Sequence, residues 1–322
     1  MSKGLKSFAA VSRAEFLLPN LGSLIMGLAW GASPPLSLIN GIILIALSFI
    51  IINLSSSIGA QVNTLSDYEL DKKDDRKKSL VQALDTFGQK RLRTILVIEL
   101  ILTLILVSLF TLFQGEPILL LMWIVGISLG YVYSAPPLRL KARSWLAPIS
   151  LILVLGVFPV LFAYYAFTSE LNPFFVLSLI GLALTIYGVI VPTEIRDYFG
   201  DKAMGIETMT VRLGLVNASL LSIFLLATGA ILTGTGFLLE WTYGPHPLLS
   251  LFLLAIPIPV IFVLTKFRKL YSLSKEYVSS NGKASIAEEI TSLSAHNPQW
   301  IMMVTQTYTF ISILLLVSKF LV

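Results

Sequence analysis

Cysteine is absent from this 322-residue chain and histidine nearly so, with His246 and His296 standing alone, each near a proline. Without thiols, disulfides and thiolate metal sites are excluded, and the redox compartment leaves no mark. Two isolated histidines give no ligand set for zinc and no relay for Ser–His–Asp chemistry. Any bound metal has to be held by oxygen, which points to Mg²⁺. Charge is scarce as well: Asp, Glu, Lys and Arg make up 13% of the chain, about half the share in an ordinary soluble domain. The opening MSKGLKSFAAVSRAEF is short, basic and polar and reads as no cleavable signal peptide.

What fills the chain is apolar. Hydrophobic residues reach 56%, in runs such as 36–54, 94–113 and 213–237, each near the length a helix needs to cross a bilayer. The pattern predicts an all-α membrane protein with nine transmembrane helices, at 16–33, 36–62, 94–113, 117–134, 146–167, 172–193, 213–238, 248–265 and 300–318. One domain covers 1–322, with a first half at 13–134, a second at 146–265, a cytoplasmic loop at 266–299 and the last helix at 300–318. The N-terminus and the connections after helices 2, 4, 6 and 8 hold 22 of the 23 Lys and Arg residues; only Lys319 lies on the other side. The remaining connections carry Glu116, Glu170 and Glu240 and no basic residue. By the positive-inside rule the N-terminus and the basic loops are cytoplasmic and the C-terminus is outside. The net charge of +5 is thus spent on topology rather than on a nucleic-acid surface. Trp30, Trp123, Trp145, Trp241 and Trp300 fall near proposed helix ends and read as interfacial anchors.

Carboxylates at membrane depth cost roughly 2.5–3.5 kcal/mol each at the bilayer centre, so their clustering calls for a reason. Asn63, Asp67 and Asp71 recur at i, i+4 and i+8 at the cytoplasmic end of helix 2, on one helical face. Asp197 and Asp201 repeat the spacing at the cytoplasmic end of helix 6. Laying Asn63 on Thr193 superposes both aspartate pairs at an offset of 130 residues. Helices 2 and 6 then become equivalents in two four-helix halves, with one helix left over and the acidic rows facing a central cavity. Four opposed carboxylates repel unless cations join them; Mg²⁺ does so and keeps positions open for the oxygens of a diphosphate. The bland alternative pairs these aspartates with Lys72, Lys73, Arg76 and Lys202 on a wet surface. Between the rows, Tyr133-Ser-Ala-Pro-Pro-Leu-Arg139-Leu-Lys141 breaks the helix and leaves Arg139 and Lys141 free to grip a diphosphate, or simply to anchor topology.

Ser55, Ser56, Ser57 and Gln61 make helix 2 polar just before Asn63, as cavity lining or as helix packing. The pairs Gly27/Gly31 and Gly126/Gly130 read as packing, and Pro192, Pro257 and Pro259 as kinks inside a bundle. Segment 284–293, with Ile286, Ile290 and Leu293 at helical spacing, either lies on the membrane or caps the cavity.

Taken together, the Asn63-xxx-Asp67-xxx-Asp71 run, the Asp197-xxx-Asp201 run continuing as Gly205-Ile-Glu-Thr208 and Val211-Arg-Leu-Gly214, and the 133–141 loop resemble the UbiA superfamily of intramembrane prenyltransferases. The loop looks like that of the chlorophyll-synthase-like branch. The resemblance implies transfer of a polyprenyl group from its diphosphate, with two Mg²⁺ ions held by Asn63, Asp67, Asp71, Asp197 and Asp201. It implies that Arg139 and Lys141 bind the diphosphate, that Tyr133 stands near the acceptor or the allylic cation, and that membrane lipid surrounds the helices. The acceptor that the resemblance implies is lipophilic, an aromatic or quinone-precursor ring, with a glycerol phosphate lipid or a tetrapyrrole as alternatives. A terpene cyclase of the same build and an ion-coupled transporter are the rival classes. Where many members carry Asn-x-x-x-Arg-Pro-hydrophobic-Pro, this chain has Asp75-Arg-Lys-Lys-Ser-Leu-Val-Gln-Ala-Leu-Asp85. Its loop at 266–299 is also long. Both departures argue against a straightforward chlorophyll synthase.

The topology is directly testable because the chain has no native cysteine. Single cysteines introduced at Ser2 and Lys283 should be labelled only after the cytoplasmic face is opened, and one at Val322 from outside. Labelling of all three from one side would contradict the charge assignment.

Overall fold

A computed structural model describes residues 3–73, 77–244 and 247–320, with the side chains of 247 and 248 left aside. Arg76 and His246 therefore lie outside the described residues. In chain order the helices are α1 (Lys3–Val11), α2 (Leu17–Gly31), α3 (Leu38–Asp71), α4 (Lys78–Phe87), α5 (Gln89–Gln114), α6 (Pro117–Ser134) and α7 (Leu146–Ile152). There follow α8 (Phe158–Tyr165), α9 (Pro173–Ala203), α10 (Met209–Leu213), α11 (Leu215–Tyr243), α12 (Pro257–Ser279), α13 (Ala284–Ser294) and α14 (Asn297–Phe320). A π-turn at Leu153–Val157 joins α7 to α8, and a 3₁₀ stretch at Pro247–Ala255 leads into α12. Among the described residues there is no strand, only an isolated bridge between Ser144 and Thr208.

Among the described residues, eight helical stretches are long and apolar enough to cross a membrane: α3, α5, α6, Leu146–Tyr165, α9, α11, Leu249–Ser279 and Ala284–Phe320. The first expected span corresponds to α2, which has 15 residues and rises only about 22 Å, less than the roughly 30 Å of a hydrocarbon core. It stops ahead of Pro34 and Pro35, which disfavour helix before them. At the other extreme, α3 has 34 residues and α9 has 31, about 51 and 46 Å of helix. Sequence boundaries at 62 and 193 thus stop short. The charged turns that carry the acidic rows continue the same two helices, as their i, i+4 spacing implies.

The chain divides into two compact units, Met1–Leu140 with Phe158–Ser169, and Lys141–Val157 with Glu170–Val322. In the first, Leu24, Ile51, Ile52, Phe110, Leu119, Met122, Trp123 and Phe162 form the core among α2, α3, α5, α6 and α8. Gly27 is required there: a Cβ on it would stand 2.5 Å from Ala163 Cβ and from the Val160 carbonyl. Nothing comparable surrounds Gly130, so the second glycine pair is not a packing motif of that kind. The polar residues of α3 are tied between helices. Asn20 Nδ2 donates to Asn53 Oδ1 and to Ser56 Oγ, Trp123 Nε1 donates to Ser55 Oγ, and both Ser57 Oγ and Gln61 Nε2 donate to Glu99 Oε2 of α5. Beneath the acidic end of α3, the amphipathic α4 buries Leu84 and Phe87 against Val11 and Leu92, with Phe8, Leu65 and Tyr68 packed around them.

The second unit is organised by α9 against α11, where a Cβ on Gly229 would meet Thr185 Oγ1 at 2.5 Å and the Gly181 carbonyl at 2.6 Å. Pro173 and Asn172 start α9, the Asn172 side chain accepting from the backbone N–H groups of Phe174 and Phe175. At the opposite end from the acidic row, Lys319 Nζ lies 3.6 Å from Glu240 Oε1, and Asn172 Nδ2 donates to Glu240 Oε2 at 2.8 Å. The one basic residue set apart from the others by the sequence is thus paired with a carboxylate. Pro257 and Pro259 sit in the first turn of α12, where proline is tolerated, rather than kinking a helix. Segment 284–293 is the packed helix α13, with Ile286 and Ile290 buried against α9 and α12.

The tryptophans depart from expectation. Trp30, Trp123, Trp241 and Trp300 are buried and only Trp145 is exposed. Trp241 Nε1 donates to Ser318 Oγ, as Trp123 does to Ser55. An indole with a partner inside a bundle is core, not an interfacial anchor.

Candidate functional site

Because α3 stays helical through Asp71, Asn63, Asp67 and Asp71 share one face. The end of α6 supports them: Ser134, itself buried, donates through Oγ to Asn63 Oδ1 at 2.9 Å. Tyr133 occupies the preceding position in the same turn, half-buried. The chain then passes Pro136 and Pro137 and reverses at Arg139, whose φ of 41° is left-handed and whose N–H closes on the Ala135 carbonyl at 3.0 Å. This reversal delivers the guanidinium to the acidic row, with Nη2 donating to Asp67 Oδ1 at 2.8 Å. The Asp67 side chain is only 15% exposed, so the charge-assisted bond works in a poorly hydrated setting. Arg139 Nε is buried without a hydrogen-bond partner among the described residues, leaving one donor uncommitted.

In the second unit, α9 places Asp197 and Asp201 four residues apart on one face. Arg196 Nε and Nη2 bind Asp197 Oδ1 and Oδ2, each at 3.1 Å. Glu194, three residues before Asp197, accepts from Thr210 Oγ1 at 2.8 Å, so a third carboxylate joins this face. Lys141 belongs to the same unit, on the 3₁₀ turn Leu140–Ala142. The Ser144–Thr208 bridge joins its segment to the one that follows Asp201. The expected site residues therefore gather as Asn63, Asp67, Asp71, Tyr133 and Arg139 in one unit, and Asp197, Asp201 and Lys141 in the other.

Spacing alone missed Ser134, Arg196 and Glu194, and also the backs of the two rows. Lys72 Nζ lies 4.1 Å from the Tyr68 ring centroid, and Lys202 Nζ lies 5.6 Å from that of Tyr198. The Tyr68 hydroxyl, helped by Glu69 at 3.4 Å, holds the exposed Lys72 ammonium above its ordinary pKa. A signal for this was present. Asp67-Tyr-Glu-Leu-Asp71-Lys72 and Asp197-Tyr-Phe-Gly-Asp201-Lys202 share Asp, Tyr, Asp and Lys at the same four positions.

No three His, Asp or Glu side chains among the described residues converge to cage an ion. Each row instead offers two carboxylates on successive turns, oxygen donors throughout. That donor set fits Mg²⁺, which binds through one or two carboxylates and completes its octahedron with water and substrate phosphate.

Residues 17–279 match the model of the UbiA prenyltransferase family. The chloroplast chlorophyll synthase of rice (Oryza sativa subsp. japonica) is 28% identical over 158 residues, 48% of this chain and 40% of that protein. The homogentisate phytyltransferase of a Synechocystis strain is 34% identical over 102 residues, 29% of this chain and 33% of that one. The match thus spans less than half the length of either curated relative. A solved structure of a UbiA homologue from Archaeoglobus fulgidus bound to GPP and Mg²⁺ has the same fold, with a TM-score of 0.58 and 20% identity, over 93% of this chain and 99% of that one.

Metal binding is the first property these rows should show. In purified protein titrated with Mn²⁺ and read by electron paramagnetic resonance, Asp71→Ala and Asp201→Ala should each weaken binding about tenfold or more. Unchanged titrations in both would make the rows surface features.

Proposed function

The chain belongs to the UbiA prenyltransferase family, and from that premise we propose that it transfers a polyprenyl group from its diphosphate to a lipophilic acceptor, an aromatic or quinone-precursor ring. The observation that supports this most is the pairing in each unit of an oxygen-only acidic row with an arginine bound to its leading aspartate. Such a row suits a cation, and the partnered arginine is a hydrogen-bond donor held ready for phosphate oxygens. The neighbour bound to GPP and Mg²⁺ and the relative named for homogentisate support the two halves of the reading.

In this reading Asn63, Asp67 and Asp71 hold one Mg²⁺ and Asp197 and Asp201 a second. A divalent ion held there would supply positive charge to offset that of the diphosphate leaving group. Arg139 and Lys141 bind phosphate oxygens, Arg139 through the donor that Asp67 leaves uncommitted. The allylic C–O bond breaks with its electron pair leaving on the diphosphate. Tyr133 presents a ring face to the allylic cation or to the acceptor. Attack by the acceptor carbon forms the new C–C bond, and the acceptor then loses a proton. Apolar helices keep water from the cation. The reading includes nine spans, with α2 as a short first one, and cytoplasmic acidic rows.

Donor-dependent diphosphate release separates this reading from its rivals. Release should require Mg²⁺ or Mn²⁺, stop in EDTA, and fall about 100-fold or more in Asp67→Ala and Asp197→Ala. Arg139→Lys should cost about tenfold, because a point charge cannot copy a forked guanidinium. Cyclic hydrocarbon formed without acceptor would indicate a cyclase, and full turnover in chelator would overturn the metal assignment.

A further inference from the structure

Nothing in the chemistry above uses the segment between the eighth and ninth spans, yet it is built against the second acidic row. Helix α13 buries Ile286 and Ile290 in a cluster with Val191, Ile195 and Tyr198 of α9. Those α9 residues form the back of the turns that carry Asp197 and Asp201 in front. The chain then turns into α14, whose first residue, Asn297, is fully buried. Asn297 Nδ2 donates to the Val189 carbonyl and to Thr193 Oγ1, the latter at 2.7 Å.

Between these two acceptors lies Pro192, inside α9. Proline has no N–H to give the Gly188 carbonyl, and its ring crowds that carbonyl, so a helix is weakest and most easily bent there. The eleven residues from Thr193 to Ala203 that carry the row hang from this point. Asn297 spans the break, one bond on each side of it. Its Oδ1 is buried with no hydrogen-bond partner among the described residues, so both ties are donations that an aspartate could not supply as a carboxylate. In the first unit the same row position, Asn63, is likewise fixed by a donor from another helix, Ser134.

We propose that Asn297 is a positioning residue for the second acidic row: it bridges the break at Pro192 and, with α13 behind Ile195 and Tyr198, sets the aim of Asp197 and Asp201. The proposal rests on the reading of that row as a Mg²⁺ site. It gives the long connection at 266–299 a task, which is to hold ligands rather than to touch substrate.

The test is Mn²⁺ affinity of the purified full chain without donor, read by electron paramagnetic resonance beside a thermal melt. Asn297→Ala should weaken Mn²⁺ binding about tenfold, the scale expected when a group supporting a metal ligand is removed. Asn297→Ser, which keeps one hydroxyl donor, should lie between and carries the test if the alanine variant does not fold. Pro192→Ala restores the missing N–H, so on that background Asn297→Ala should cost less than about threefold. Wild-type Mn²⁺ affinity in the folded Asn297 variants, or the same loss with and without Pro192, would overturn the proposal, even if the melting temperature falls. Asp197→Ala and Asp201→Ala serve as controls. If they too bind Mn²⁺ normally, the metal reading itself fails, which is a different result from failure of Asn297 alone.

Discussion

Carboxylates on successive helical turns repel one another, and at the end of an apolar helix little water is present to screen them. Every arrangement around the two acidic rows follows from that need for cations. Arg139 takes a left-handed backbone to reach Asp67, Arg196 folds back along α9 to bind Asp197, and Lys72 and Lys202 settle over the tyrosines behind the rows. Arginine is suited to the two leading aspartates because its fork satisfies a carboxylate and still has donors to spare. Within each unit the leading aspartate is thus already paired and held before any ligand arrives.

The apolar bulk of the chain makes such precision possible. Oil-like helices gain little from burying one another in lipid, so their contacts depend on close backbone approach and on hydrogen bonds between helices. Gly27 lets α2 approach α8, and Gly181 with Gly229 does the same for α9 and α11. The bonds from Ser57 and Gln61 to Glu99, and from Asn172 and Lys319 to Glu240, keep charged groups of the spans satisfied away from the rows. Each unit then carries its row on a helix longer than a bilayer is thick, backed by an amphipathic helix: α4 behind Leu65 and Tyr68, α13 behind Ile195 and Tyr198. Those residue pairs stand at the same offset of 130 as the aspartates.

Much of this was legible in the sequence because two of its signals are periodic. Apolar run lengths marked the spans, and the i, i+4 recurrence of Asp67 and Asp71, then of Asp197 and Asp201, marked the rows. Where a local rule met a tertiary one, reading failed. The apolar runs ended at 62 and 193, yet the helices run on to Asp71 and Ala203, with α4 and α13 packed behind the added turns. Tryptophans near helix ends looked interfacial, yet four of the five are packed inside. Ser134, Arg196 and Asn297 carry no spacing signature, since their meaning lies in what folding brings beside them. The four-position identity around Tyr68 and Tyr198 was visible and would have extended the repeat from the ligands to their supports.

Under the proposed function the two rows serve one metal-dependent chemistry. A crystal of the protein grown with Mn²⁺ and an unreactive thiolo analogue of a prenyl diphosphate tests it most directly, through anomalous scattering from manganese. The account predicts two peaks, one within coordination distance of Asp67 and Asp71 and one within coordination distance of Asp197 and Asp201, at about 2.0–2.2 Å from their oxygens. Analogue bound with neither row at coordination distance from a metal would contradict it.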